Sequence, residues 1–149
     1  MFLAACVQMR CTTDTEKNLA TAETLIRRAA GYGAKLVATP ENTAFLGAQF
    51  HKVSTAETMD GPIASRLGAI AADCGINLLV GSLAEQRVLP DGRIDEEHCY
   101  NTSVFFGPDG NRLASYRKMH LFDVDVPGGL TVKESNTIAA GEDVVVAES

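Results

Sequence analysis

Two short apolar segments that flank a helix-forming segment constrain the fold of this chain more than any other feature. Residues 2–9 and 35–39 have the length and composition of buried strands. Between them, apolar residues recur along one face of a predicted helix, which we expect to start with a capping box of Thr13 and Glu16 and to end at Gly31. A strand, a helix and a second strand in this order predict a right-handed βαβ unit with parallel strands.

The next segment repeats this pattern. Gly61-Pro62 indicates the start of a second helix, because proline suits the first helical position, and Gly75 indicates its end. Residues 76–81 follow as a third apolar strand. Strands that alternate with helices in this way predict an α/β fold with parallel pairing.

Beyond the third strand, the pattern favours antiparallel pairing. Residues 87–97 are polar and contain a Pro-Asp-Gly turn sequence, so we expect a loop there. Residues 101–106 and 112–116 predict a hairpin, because the Gly-Pro-Asp-Gly sequence between them suits a type I turn. Residues 144–147 are apolar and predict the beginning of one more strand.

Composition narrows the classes of partner and site. The 149 residues fit one domain, and no apolar run approaches the roughly 20 residues of a membrane-spanning helix. The net charge of −6 argues against nucleic acid as a partner, since phosphate binding needs a clustered basic surface. No basic leader precedes the apolar start, so we expect a cytoplasmic protein. The cysteines match no zinc or dithiol pattern, so we expect four reduced thiols, namely Cys6, Cys11, Cys74 and Cys99.

Glu41 directly follows the second predicted strand, in Ala38-Thr39-Pro40-Glu41-Asn42. Functional groups collect at the carboxyl ends of parallel strands, because the loops there converge on a crevice. A carboxylate in such a crevice is a candidate general base. The alternative interpretation is a solvated glutamate in a surface loop.

Lys118 lies at the end of the second hairpin strand, in Tyr116-Arg117-Lys118-Met119-His120-Leu121-Phe122-Asp123. Strand alternation places Tyr116 and Lys118 on one face of the sheet and Arg117 on the other. A lysine with aromatic and apolar neighbours can point inward toward a buried carboxylate, where each charge requires the other. The alternative interpretation is a basic cluster on the surface.

Several segments resemble the nitrilase superfamily, and they occur in the order found there. Over residues 2–147 they are Ala5-Cys6-Val7-Gln8-Met9, Pro40-Glu41, Tyr100-Asn101-Thr102 with the turn that follows, and the segment from Tyr116 to Asp123. Residues 120–128, followed by Glu134-Ser135, resemble the Nit branch of that superfamily. This branch contains omega-amidases and deaminated-glutathione amidases.

The resemblance implies a cysteine-dependent amidase with a four-layer α-β-β-α sandwich, of which this chain supplies about half. Glu41 matches the general base of the family. Lys118 matches the lysine that stabilises the oxyanion and helps to protonate the departing ammonia. Glu134 matches a second glutamate that orients the lysine or the amide. No metal or organic cofactor is implied, and a homo-oligomer is expected for the full-length protein.

The resemblance also implies a nucleophilic cysteine on a strand-to-helix turn, downstream of the segment that matches residues 140–147. None of the four cysteines lies in that context, since Cys6 and Cys74 have core-like positions, Cys11 precedes the first helix and Cys99 precedes the hairpin strand. We therefore expect residues 1–149 to be part of a carbon–nitrogen hydrolase domain, truncated before its nucleophile. Alone, they should be inactive and poorly soluble, because apolar faces stay uncovered.

The leading hypothesis is an amidase that hydrolyses the terminal amide of a small carboxylate, through a cysteine thioester and with release of ammonia. A 2-oxo dicarboxylate monoamide or deaminated glutathione would be such a substrate. One alternative is a non-catalytic, nitrilase-like binding or regulatory protein that lacks the nucleophile. Another keeps the enzyme class but changes the substrate to an N-carbamoyl amine or to glutamine.

Overall fold

The computed structural model describes residues 2–148, which form a six-stranded sheet, a two-stranded sheet and three α-helices. The helices are α1 (Thr15–Gly31), α2 (Gln49–Ser54) and α3 (Pro62–Cys74), and a short 3-10 helix covers Glu134–Asn136. The strands are β1 (Leu3–Cys6), β2 (Ala34–Ala38), β3 (Asn77–Val88), β4 (Ile94–Phe106), β5 (Arg112–Arg117), β6 (Asp123–Asp125), β7 (Thr131–Lys133) and β8 (Ile138–Ala139).

The large sheet combines a parallel half with an antiparallel half. β1, β2 and β3 pair in parallel. The pairs β3–β4 and β4–β5 are antiparallel, and β8 pairs in parallel with β4. This confirms the α/β class, the parallel pairing of the first two strands and the predicted hairpin. The prediction of a loop over residues 87–97 was wrong, because β3 runs to Val88 and β4 begins at Ile94, which leaves a shorter connection. Polar residues fit that ladder since an antiparallel pair can keep one face in water.

The core lies between the sheet and the helices α1 and α3. Its members include Leu19, Ala22 and Ile26 of α1, Leu67 and Ile70 of α3, and Val37, Leu78, Val80, Val104 and Phe106 of the sheet. Helix α3 approaches the turn after β4 so closely that a Cβ atom on Gly68 would lie 2.8 Å from the carbonyl oxygen of Gly110. The opposite face of the sheet is more open, and Leu79 there is 38% exposed.

Two predictions for the first βαβ unit were wrong in detail. The N-cap of α1 is Asp14 rather than Thr13, and Asp14 Oδ1 accepts a hydrogen bond from the backbone N–H of Lys17 at 3.0 Å. A carboxylate cap also interacts favourably with the positive end of the helix dipole. The first strand is shorter than residues 2–9 and is largely exposed rather than buried, because β1 is the edge of the sheet. Cys6 is therefore exposed instead of lying in the core.

The strand predicted at residues 144–147 was also wrong. This segment belongs to no strand, and Val144 and Val146 are 81% and 87% exposed. Within residues 2–148, no sheet edge pairs with it, so the apolar pattern has no ladder to join. All four cysteines are free thiols, as predicted. No helix in the described part of the chain has the length and apolar character needed to span a membrane.

Candidate active site

Glu41 lies in a turn that is held tightly against β3. The backbone N–H of Thr43 donates to the carbonyl of Ser82 at 3.0 Å, which fixes the turn to the middle of that strand. A Cβ atom on Gly81 would lie only 2.6 Å from the carbonyl carbon of Pro40, so glycine permits this approach. The carboxylate is therefore presented from a rigid backbone at the carboxyl end of β2.

Lys118 directly follows β5 and points away from its neighbour Arg117. Arg117 forms a two-pronged ion pair with Glu85, with distances of 2.6 and 3.0 Å. On the other face, the ammonium of Lys118 lies 3.1 Å from Glu41 Oε1 and 3.0 Å from Glu134 Oε2. The predicted opposite orientation of the two basic residues is confirmed. The three residues singled out in the sequence thus form one cluster.

Glu134 opens the 3-10 helix after β7 and is buried. Its Oε2 accepts the backbone N–H of Phe122 at 2.7 Å. Burial acts to raise the pKa of Glu134, but the Phe122 amide and the Lys118 ammonium outweigh it and lower that pKa. Burial likewise acts to lower the pKa of Lys118, and its hydrogen bonds to Glu134 and Glu41 outweigh burial and raise it. The ion pair of Lys118 and Glu134 is therefore held in its charged form.

Asn101 is a member of the site to which no sequence pattern assigned a role. It is 2% exposed, and its Nδ2 donates to Glu41 Oε1 at 2.7 Å, the same oxygen that accepts from Lys118. Among residues 2–148, no group donates a hydrogen bond to the other oxygen of Glu41, so that oxygen is free of protein partners. The available signal was a carboxamide at the start of the strand predicted at residues 101–106, since a buried amide needs a partner.

The charged cluster opens onto a cavity of about 290 Å³. Besides Glu41, Lys118 and Glu134, the cavity is lined by residues of α2, of β7 and β8, and of the segments that precede α2 and β6, among them Phe45, Leu46, Lys52, Phe122, Val132 and Ile138. A carboxylate with a free oxygen can remove a proton here, while the neighbouring ammonium can stabilise a developing oxyanion. The cavity therefore combines two carboxylates and an ammonium with an apolar wall.

None of the four cysteines, all of which lie in the described part of the chain, lines this cavity. Cys99 is buried, and burial raises the pKa of its thiol to about 11, although the nearby Lys52 acts in the opposite direction. Such a thiol is protonated at neutral pH and is a poor nucleophile. Among residues 2–148, no group of three or more His, Cys, Asp or Glu side chains is arranged to hold a metal ion.

Known proteins similar in sequence point to one family. The carbon-nitrogen hydrolase family model matches residues 3–149. The omega-amidase NIT2 of Homo sapiens is 39% identical over 143 residues, which are 95% of this chain and 48% of that protein. The omega-amidase NIT2 of Danio rerio is 39% identical over 150 residues, 99% of this chain and 50% of that protein. The chain spans about half the length of the curated relatives it matches.

Solved structures with a similar fold point to the same family. The C. elegans NitFhit protein has a TM-score of 0.78 at 29% identity, over 95% of this chain and 34% of that one. Saccharomyces cerevisiae Nit3, from branch 10 of the nitrilase superfamily, has a TM-score of 0.71 at 29% identity, over 92% of this chain and 47% of that one. A mutant amidase from Nesterenkonia sp. AN1, with acrylamide added at its active-site cysteine, has a TM-score of 0.72 at 27% identity, over 94% of this chain and 50% of that one. The predicted nitrilase-type fold is confirmed.

Proposed function

The chain belongs to the carbon–nitrogen hydrolase family, and from this premise we propose that its protein is an amidase of the Nit type. The proposed substrate is a small carboxylate with a terminal amide, such as a 2-oxo dicarboxylate monoamide or deaminated glutathione. The observation that carries the proposal is the contact of Lys118 with both Glu41 and Glu134 at one cavity. The sequence similarity to omega-amidases supports the choice of substrate.

In the proposed reaction, the free oxygen of Glu41 takes the proton of a cysteine thiol, and the sulfur attacks the amide carbon. The electron pair of the C=O bond moves onto oxygen, where Lys118 stabilises the negative charge. Collapse of this intermediate breaks the C–N bond, and the nitrogen leaves as ammonia with a proton supplied through Glu41 and Lys118. Water then attacks the thioester while Glu41 takes its proton, which releases the carboxylic acid and restores the thiol.

In this proposal the nucleophilic cysteine lies outside residues 1–149, which are part of a carbon–nitrogen hydrolase domain. Two observations support this: no cysteine of the chain lines the cavity, and the chain spans about half the length of its curated relatives. Residues 1–149 alone are then expected to be inactive. Glu134 is assigned to orient Lys118. We also propose that the full-length protein is a homo-oligomer, as the family resemblance implies, and that it is cytoplasmic.

The proposed activity is tested with the complete product of the gene that encodes this chain. Ammonia release from 2-oxoglutaramate and deaminated glutathione is measured beside an N-carbamoyl amine. We expect one ammonia for each carboxylate formed, and a cysteine thioester in acid-quenched samples by mass spectrometry. Turnover of only the carbamoyl compound would favour the alternative substrate class. Saturable binding of the amides without any ammonia would instead indicate a non-catalytic protein.

Alanine in place of Asn101 is expected to lower kcat about 10- to 100-fold, since a hydrogen bond to a charged group contributes roughly 1.5–3 kcal/mol. Asn101 positions Glu41 but does not line the cavity, so KM should change little. Steady-state ammonia release separates the two constants. Asn136→Ala, which alters an exposed amide, is the control. A rise in KM with an unchanged kcat would contradict the positioning role.

A further inference from the structure

Helix α2 brings a second lysine to the cavity. Lys52 is only 9% exposed, yet it lines the same cavity as Glu41, Lys118 and Glu134. The proposed chemistry uses the other three residues and leaves Lys52 without a function. A lysine is rarely buried unless it is paired, so its position requires an explanation.

The ammonium of Lys52 has no anionic partner in the described part of the chain. No carboxylate oxygen of residues 2–148 lies within 4.0 Å of it, and the two nearby carboxylates, Glu41 and Glu134, both contact Lys118. Burial lowers the pKa of Lys52, although the charges of Glu134 and Glu41 act in the opposite direction. An unpaired buried ammonium is unfavourable, and an anion that entered the cavity would relieve this cost.

The wall of the cavity suits a short hydrocarbon chain. Besides the four charged residues, five apolar side chains line it, namely Phe45, Leu46, Phe122, Val132 and Ile138. Its volume of about 290 Å³ lies just below that of typical ligand pockets, which span roughly 300–1,000 Å³. A ligand of matching chemistry is small, has a few methylene groups and carries a negative charge in addition to its reactive group.

We infer that Lys52 binds the carboxylate of a substrate whose terminal amide lies between Glu41 and Lys118. The inference rests on the proposed amidase function and adds to it the residue that recognises the carboxylate of the substrate. Lys52 is then a specificity-determining residue. A competing explanation is that Lys52 balances the charge of the two glutamates that share Lys118. That explanation predicts an equal effect on charged and neutral amides.

The test compares succinamate with succinamide in the complete gene product. The two molecules have the same shape, and only succinamate carries a charge. We expect wild-type kcat/KM to favour succinamate about 10- to 100-fold, and Lys52→Met to abolish the preference by raising KM for succinamate alone. Lys52→Arg retains the charge and should keep part of the preference. Lys17→Met removes an exposed lysine of α1 and should behave as wild type.

Each outcome decides the inference. Equal wild-type kcat/KM for both amides would overturn it, and this measurement does not depend on the folding of any variant. A fall in kcat for both amides in Lys52→Met would also overturn it, in favour of charge balance. If the wild-type protein released ammonia from neither amide, the amidase function would be contradicted instead. Calorimetry would then decide: succinamate binding weakened about 10-fold or more by Lys52→Met supports the inference, and equal binding overturns it.

Discussion

Glutamine in place of Glu41 is expected to lower kcat for ammonia release by about 10²- to 10⁴-fold, the range that a positioned general base contributes. Glutamine has the same size, and its carbonyl oxygen can replace the Oε1 that accepts from Asn101 at 2.7 Å and from Lys118 at 3.1 Å. The geometry of the site is therefore retained while the proton acceptor is lost. The effect should appear in kcat and much less in KM.

Two measurements on the complete gene product isolate this effect. Steady-state ammonia release gives kcat, and the rate of alkylation of the nucleophilic cysteine by iodoacetamide reports how readily its thiol loses a proton. Both rates should fall in Glu41→Gln. Glu96→Gln is the matched control, because Glu96 is an exposed glutamate of β4. If Glu41→Gln released ammonia as fast as this control, Glu41 would not be the general base.

Methionine in place of Lys118 is expected to lower kcat/KM about 10²- to 10³-fold, which corresponds to roughly 2.7–4 kcal/mol of lost oxyanion stabilisation. The same change leaves Glu134 buried without its cation, so the free energy of unfolding should fall as well. Breaking a fully buried ion pair costs about 3–5 kcal/mol. The Lys118 side chain is 27% exposed and that of Glu134 is 11% exposed, so we expect a smaller loss.

A double variant separates the two roles of Lys118. Lys118→Met combined with Glu134→Gln removes the unpaired buried carboxylate, so stability in urea unfolding should recover relative to the single variant. Ammonia release should remain low, because no ammonium faces the oxyanion. Lys35→Met, at an exposed lysine of β2, is the control for both measurements. Recovery of activity in the double variant would show that Lys118 only neutralises Glu134.

Local sequence signals were sufficient to predict helix α3 and the β4–β5 hairpin, which ends next to Lys118. Pro62 and Gly75 delimit α3 as predicted, and Gly75 adopts the left-handed conformation that ends a helix, with φ of 60°. The predicted hairpin turn closes through a hydrogen bond of 2.9 Å from Gly110 N–H to the Gly107 carbonyl. These features depend on a few neighbouring residues, so they can be predicted from a single sequence.

The features that could not be predicted depend on residues far apart in the chain. Asn101 acts on Glu41 from 60 positions away, and no local pattern encodes that distance. Lys52 lies on a helix of six residues, too short for a periodic apolar stripe. The exposure of β1 follows from its place at the edge of the sheet, which is a property of the strand order rather than of its own apolar residues.

The pairing of Glu41 with Lys118 joins positions 77 residues apart, and this separation has a consequence for folding. Closing a long loop costs conformational entropy before any contact compensates for it, so long-range contacts form late and slowly. The β4–β5 hairpin and the helices need only local contacts. We expect Glu41 and Lys118 to meet only after β3 has paired with β2 on one side and β4 on the other. We therefore expect a chain with much of its secondary structure in place still to lack the site until β3, which contributes neither charge, has paired on both sides.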